Sequence, residues 1–561
     1  MLCQDVAMLT VYPARVIHTM NPALPQATAV VVSDGSGSVP KGIVEVGTIE
    51  SVQPWLDAHP HQVDTTFSDH VLFPGFVDPH LHPSLSATLL PMNFITAMSW
   101  DLPDRLVPAT SSPDAFIDEL QRLHRQTPDG EPVFTWGYHE LWHGPMSRQL
   151  LDSVATDRPI IVWQRSFHEI FVNSAAFLYF ELDEARLEKH PQVDVAAGRF
   201  FESGMGIGAA AMSGHIMDPD RFRHGLELTK AAVHQGGHTT IGDLTGSQFD
   251  SDTEWAALHE VIGGPDTPFR VQMIPAGARS LRDGLGREDP AAWLDAFADK
   301  RGSDKLYFRN NVKLFTDGGF YAQLMRVNAP GFIDGHQGEW MIAPEQFESL
   351  ARGFWNAGCQ IHVHCTGDMG VELALDVLAK LQWERPRFDH RFTIEHMGLS
   401  SPEQVARLAK LGGLVSANVY YLHELGEKYW KHSVGYERAS QMARVRTCVR
   451  EGIPTALHSD FTMAPARPLT SAWVAVNRLS ERGDVLGPDE RLSVHQAMRA
   501  ITCDAAYVLG MEDRIGTIRA GKSADFTVLD ADPYQEDPEA LKDIPIWGTV
   551  FEGAVHPLGA T

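Results

Sequence analysis

Apolar and polar positions fall into three regimes along the chain. Both ends carry short, alternating runs bounded by glycine-rich turns, which predict β-strands. Ala27–Val32 and Gly42–Gly47 flank the turn at residues 33–38, and the segments 515–530 and 548–555 have the same character. The middle alternates strand-like runs with amphipathic helical stretches. The runs lie at 71–78, 239–244, 269–275, 311–317, 360–364, 391–395, 414–419 and 454–459. The clearest helices span 345–355, 371–381 and 402–411. Eight strands alternating with helices predict an α/β fold, a (β/α)₈ TIM barrel whose chemistry sits at the C-terminal strand ends. An excess of about 150 residues follows the first run and holds two further strands near 133–138 and 159–165. The expected layout has residues 1–70 and 506–561 as the two parts of one small β-sandwich domain. Residues 71–505 form the barrel, with an insertion at about 85–235 that covers or shapes the site.

Composition narrows the functional classes. The 561 residues exceed a typical single core, and 43% hydrophobic with 21% charged residues are values of an ordinary globular enzyme. A formal net charge of −26 argues against nucleic acid or anionic membrane as partner, because both need a basic footprint. No run reaches the roughly 18–20 apolar residues of a membrane span, and the N-terminus lacks the basic and apolar regions of a secretory signal. Cys3, Cys359, Cys365, Cys448 and Cys503 are not spaced as metal-binding pairs and suit free thiols in a reducing cytoplasm.

Strand ends carry the chemistry. Residues i and i+2 of a strand share a face, so His80 and His82, closing the run Phe73-Pro-Gly-Phe-Val-Asp-Pro-His-Leu-His82, can lean over one end of the barrel together. Two other His-x-His pairs exist: His59/His61 in a polar, proline-bearing segment reads as solvated surface, and His362/His364 ends another run. Lys313 sits among apolar residues on the face of Phe315, while His364, His396 and Asp460 end their own runs. Each has a plainer reading: a hydrogen-bonded core histidine, a lysine paired with a buried carboxylate, an aspartate capping the next helix. Those accidents would all have to fall at one end of the same barrel. Four histidines and a carboxylate suffice for two divalent ions if a further group bridges them.

His80-Leu-His82 after Pro-Gly-Phe-Val-Asp, Lys313 in Val-Lys-Leu-Phe-x-Asp-Gly, His364-x-x-Gly-Asp368, Ile394-Glu-His396, Ser459-Asp460 and Ile515-Gly-Thr-Ile-x-x-Gly-Lys-x-Ala-Asp525 together resemble the metal-dependent amidohydrolase superfamily. Within it they are similar to the amidohydrolase 3 group, which includes N-substituted formamide deformylases. The resemblance runs from about residue 14 to 556. It implies that His80, His82 and Asp460 bind one metal and His364 and His396 the other. It also implies that Lys313 is carboxylated by CO₂ and bridges them. An apolar site disfavours the ammonium, which exposes a nucleophilic amine and gives that role a physical basis. The implied mechanism is attack by a metal-activated hydroxide, with Asp460 taking the proton of the water and passing it to the leaving nitrogen. Zinc is the default ion for a histidine-rich site. One departure is His458, where the group usually has glycine: either a substrate or supporting contact, or a histidine packed behind the metal ligand. Extra residues around 34–41 are a second departure.

The insertion carries Trp136-Gly-Tyr-His-Glu-Leu-Trp142 and Arg165-Ser-Phe-His-Glu-Ile-Phe-Val-Asn173, which resemble the family's segments. His168 is the candidate for polarising the substrate carbonyl, with Glu202 a second candidate for the same pocket. Trp136, Tyr138, His139 and Trp142, with Phe167 and Phe171 nearby, either line the pocket or form core; lining it would select an apolar N-substituent. The expected function is hydrolysis of a C–N amide-type bond, an N-substituted amide or formamide, by a cytoplasmic homodimer acting on a small molecule. The alternatives are a mononuclear deaminase of a heterocycle, against which Lys313 argues, and an inactive scaffold, which predicts eroded ligands that are not seen.

Overall fold

The computed structural model describes residues 8–559 except 37–38, 283–285 and 287. Cys3 and part of the 33–38 turn therefore lie outside the described residues. All eight predicted runs form strands: Phe76–Leu81, His238–Asp243, Arg270–Met273, Asn311–Phe315, Gln360–Cys365, Thr393–His396, Leu414–Ala417 and Thr455–Leu457. They are parallel and neighbour one another in chain order, in two hydrogen-bonded sheets. The first seam, between the third and fourth strands, is bridged at Ala276 and Lys313. The fourth strand is interrupted there: Leu306–Phe308 pairs back to the third, and Asn311–Phe315 pairs forward to the fifth. At the other seam Asp460 N–H donates to the His80 carbonyl at 2.9 Å and His82 N–H to that of Phe461 at 3.2 Å. The strand order thus returns to its start, and all eight strands end on one side.

The expected run at 71–78 is two strands. Val71–Pro74 joins the terminal sheet, and Phe76–Leu81 begins the parallel set. Gly75 between them is pressed on Thr239, whose Oγ1 would lie 2.0 Å from a Cβ at that position, so the crossing needs glycine. The chain ends do meet. Leu9–His18, Gln26–Ser33, Gly42–Gly47 and Val71–Pro74 share one eight-stranded sheet with Phe526–Leu529, Ile546–Phe551 and Ala554–Pro557. Of the β-like segment 515–530, only Phe526–Leu529 is strand. Arg270, fully buried, fastens this sheet to the parallel strands by pairing with Asp525 and, at 3.1 Å, with Glu552.

Helices form where the local code predicts them: Pro344–Asn356, Asp368–Glu384 and Pro402–Leu411. The last is set at both ends. Ser401 and Gln404 make a reciprocal capping box, proline occupies its first turn, and Gly412 closes it in the left-handed conformation. The insertion builds its own six-stranded sheet around Val133–Tyr138 and Ile160–Gln164, with a separate apolar core that includes Phe116, Leu120, Tyr138 and Phe171. Among the described residues no helix is long and apolar enough to cross a membrane. Cys359, Cys365 and Cys448 are buried free thiols, and Cys503 is half-buried.

Candidate metal centre

Alternation along Phe76–Leu81 and the turn after it bring His80 and His82 together, ring centroids 5.1 Å apart at 90°. Asp460 reaches them from across the second seam. Its Oδ1 lies 3.1 Å from His82 Nε2 and 3.5 Å from His80 Nε2. Donors on one ion at about 2.0–2.2 Å stand roughly 3–3.5 Å from each other, so both contacts of Asp460 have the spacing of donors that share a cation, and the three groups lie within 4.8 Å of one another. His396 adds its ring 4.6 Å from that of His80, and His364 packs 4.5 Å from His396. Asp460 and His396 both adopt positive φ, 56° and 70°, which turns the chain sharply at the strand ends and aims the side chains inward.

The electrostatics of the cluster favour a cation. Burial, with Lys313 and the neighbouring rings adding to it, holds His80 and His396 well below the ordinary imidazole range; for His364 burial acts with His168 and Lys313. All three are neutral and offer lone pairs, and the buried Nε2 of His364 has no hydrogen-bond partner. Burial would depress His82 too, yet Asp243 and Asp460 push it up to about 9: a positive charge belongs between these carboxylates. Asp460 is held below the usual carboxylate range, since contact with His82 outweighs burial. Neutral nitrogens, an ionised carboxylate and donor spacings near 3 Å fit a divalent metal.

Lys313 projects into the same space with its amine 3.4 Å from His80 Nε2 rather than paired with a carboxylate. Burial brings it down to about 8, so a substantial neutral fraction exists at physiological pH.

Behind these groups stand residues that the sequence reading passed over. Glu395, wholly buried, receives His80 Nδ1 and His362 Nδ1, each at 2.7 Å. Asp78 accepts the His80 N–H at 3.0 Å and ties down Ser459 through its N–H and hydroxyl. The available signal was an acidic residue inside an otherwise apolar strand, which must find partners. His362 thus serves Glu395 while its neighbour two residues on faces the centre; His61 is exposed, and His59, half-buried, stacks on Trp55.

The other candidates divide. His168 comes to the cluster, its ring 5.6 Å from that of His364. Glu202 is not a free pocket wall: its Oε2 meets His168 Nδ1 at 2.9 Å and its Oε1 accepts Gly319 N–H at 3.2 Å. Gly319 is again a close approach, since a Cβ there would stand 2.6 Å from the His168 ring. Trp136 is a correction: it packs with Phe94 and Trp100 in the main core. Tyr138 is another, its hydroxyl donating to Gly144 C=O at 2.7 Å inside the core of the insertion. Phe171 joins Tyr138 there, and Phe167 packs against Trp163. His139 caps the turn that begins at Glu140, and Trp142 lies against it and under Lys428. Tyr138 and Phe171 are scaffold because the insertion has a core of its own, and Trp136 and Phe167 belong to the main core. His458 is buried behind His80 and His396, not exposed to substrate.

A parallel strand set with histidines, a lysine and an aspartate converging at the strand ends defines a metal-dependent hydrolase of the amidohydrolase class. The Amidohydrolase family model matches residues 68–556, and the chain belongs to that family as an enzyme acting on carbon–nitrogen bonds other than peptide bonds. It is 24% identical over 550 residues to the N-substituted formamide deformylase of Arthrobacter pascens, covering 94% of this chain and 95% of that one. Among solved structures it resembles an uncharacterized metal-dependent hydrolase from Pyrococcus horikoshii OT3, with a TM-score of 0.70, 19% identity, and coverage of 94% and 99% of the two chains. It also resembles the zinc complex of the atrazine chlorohydrolase TrzN from Arthrobacter aurescens TC1, with a TM-score of 0.52, 13% identity, and coverage of 98% and 97%.

Proposed function

We propose that this chain hydrolyses the C–N bond of a small N-substituted amide or formamide at a centre of two divalent metals, zinc by default. The supporting observation is the convergence of His80 Nε2 and His82 Nε2 on Asp460 Oδ1, at 3.5 and 3.1 Å, with Lys313 on the same cluster. We read the closed parallel set as a (β/α)₈ barrel over residues 71–505, with the insertion at about 85–235. The terminal sheet, residues 1–70 and 506–561, is read as one small β-sandwich domain. In this reading His80, His82 and Asp460 hold one ion, His364 and His396 the other, and carboxylated Lys313 bridges them.

Two ions bound there would supply Lewis acidity and a water acidified to a pKa of about 7. The residues of the chain do the remainder. Asp460, ionised and aimed at the centre, takes a proton and returns it to the leaving nitrogen, which departs as the amine. His168 stands beside the cluster with Nδ1 anchored on Glu202, so its Nε2 faces outward as a donor to the substrate carbonyl. Burial opposes protonation of His168, but Glu202 outweighs it and raises the proton affinity of the ring above the ordinary imidazole value. The formamide class is taken from the deformylase relative. Buried thiols and the acidic charge support a cytoplasmic setting, and a homodimer remains part of the proposal.

The test is metal content per chain, followed by turnover of N-benzyl and N-aryl formamides and amides. Two equivalents with formate or acid released support the reading. A single equivalent, with ammonia released from heterocycles, would replace it by the deaminase.

A further inference from the structure

His458 stands at a position where the resemblance leads one to expect glycine, and it is wholly enclosed. Both ring nitrogens are engaged. Nδ1 lies 2.7 Å from Ser416 Oγ, and Nε2 lies 3.2 Å from Nδ1 of His396. Its backbone is fixed as well, with the N–H donating to Ala417 C=O at 3.0 Å, beside the strand that pairs His396 with Ala417.

Proton bookkeeping along this line allows two arrangements. In one, His396 Nδ1–H donates to His458 Nε2, His458 Nδ1–H donates to Ser416 Oγ, and His396 Nε2 keeps a bare lone pair. In the other, the Ser416 hydroxyl donates to His458 Nδ1, His458 Nε2–H donates to His396 Nδ1, and the remaining proton of His396 sits on Nε2. Only the first leaves His396 able to bind a cation through Nε2. A ligating histidine is ordinarily held by a carboxylate or carbonyl at its other nitrogen, and removing that partner costs roughly 10–100-fold in metal affinity. Here an imidazole takes that place. The carboxylate nearest this nitrogen is Asp460, 3.7 Å from His396 Nδ1 and itself shared with His82.

We propose that Ser416 and His458 form a hydrogen-bonded relay that positions His396 and holds it in its metal-binding tautomer, making His458 a positioning residue of the second metal site. This rests on the assignment of His396 as a metal ligand.

The experiment uses the full chain, stripped and titrated with Co(II) and Zn(II) against a chromophoric chelator, in wild type, His458→Leu, His458→Gln and Ser416→Ala. Glutamine can present an oxygen near the place of Nε2, whereas leucine fills the volume without an acceptor. The expected result is that His458→Leu weakens one equivalent 10–100-fold and leaves the other within twofold. His458→Gln should recover most of that loss, with the visible Co(II) spectrum of wild type because the donor set is unchanged. Ser416→Ala should fall between. Thermal unfolding of the metal-free proteins separates this from misfolding; if His458→Leu does not fold, the Gln and Ser416→Ala variants decide. Equal affinity of all variants for both equivalents overturns the relay. So does a His458→Gln protein that binds as poorly as His458→Leu with an altered Co(II) spectrum, since His458 would then be a ligand itself. A wild-type chain that holds one ion overturns the two-metal reading, and the relay is then judged on that ion by the same comparison. A chain that holds none overturns both.

Discussion

Glu395→Gln isolates the carboxylate that steers His80. The wild-type group accepts from two imidazoles at 2.7 Å each, in full burial. Hydrogen bonds to a charged acceptor contribute about 1.5–3 kcal/mol and neutral ones about 0.5–1.5, so a neutral amide loses about 1–1.5 kcal/mol at the ring its oxygen faces. The amide nitrogen must face the other ring. His362 tolerates this, because its unpartnered Nε2 can take the proton and leave Nδ1 as an acceptor. His80 does not, because its proton would move to the nitrogen that faces Asp460 and Lys313. The favoured rotamer therefore puts the oxygen on His80, with a loss near tenfold in affinity at the first metal site. The opposite rotamer would approach a hundredfold, the upper end for such supporting groups. Competition with a chromophoric chelator measures the change, and the metal-free melting curve should move little, since a buried charge is removed along with its bonds. Affinity within twofold of wild type for both ions would refute the argument.

Lys313→Ala and Asp460→Ala should each abolish turnover while the far-ultraviolet circular dichroism is retained; full activity of metal-loaded Asp460→Ala would sink its role as proton carrier. Arg270→Met should cost about 3 kcal/mol in urea unfolding, toward the low end for a broken buried pair, because Glu552 keeps Lys41 and Arg514. His143, buried with its Nε2 on the Thr110 carbonyl, is pushed down to about 4 by burial. The unfolded chain binds the proton first, so this contribution is full above about pH 6.5 and is lost as pH falls toward 4, up to about 3 kcal/mol. Unfolding midpoints between pH 7 and 4 should therefore fall less steeply in His143→Gln, and parallel curves would exclude His143 as a source.

Much of the architecture was legible because its signals are local. Alternation marks strands, the 3.6-residue period marks Pro344–Asn356 and Pro402–Leu411, and the ionisable residues that close the runs are visible in one dimension. His80, His82, Lys313, His364, His396 and Asp460 could be named that way. What surrounds them could not. Period-2 alternation says which face a residue occupies but not which strand comes alongside. The partners of the site are far apart in sequence: His80 and Glu395 by 315 residues, Ser459 and Asp78 by 381. The same limit explains the aromatics. An apolar ring in a strand must be buried, and whether it meets substrate or another side chain depends on whether its layer needs a core. Trp136 is taken up by the main core and Tyr138 by the separate core of the insertion. The sequence determined the elements and the chemical groups at their ends. Only the tertiary structure decided that Glu395 would hold His80, that Glu202 would hold His168, and that His458 would lie behind His396, because these depend on register between strands that no local preference encodes.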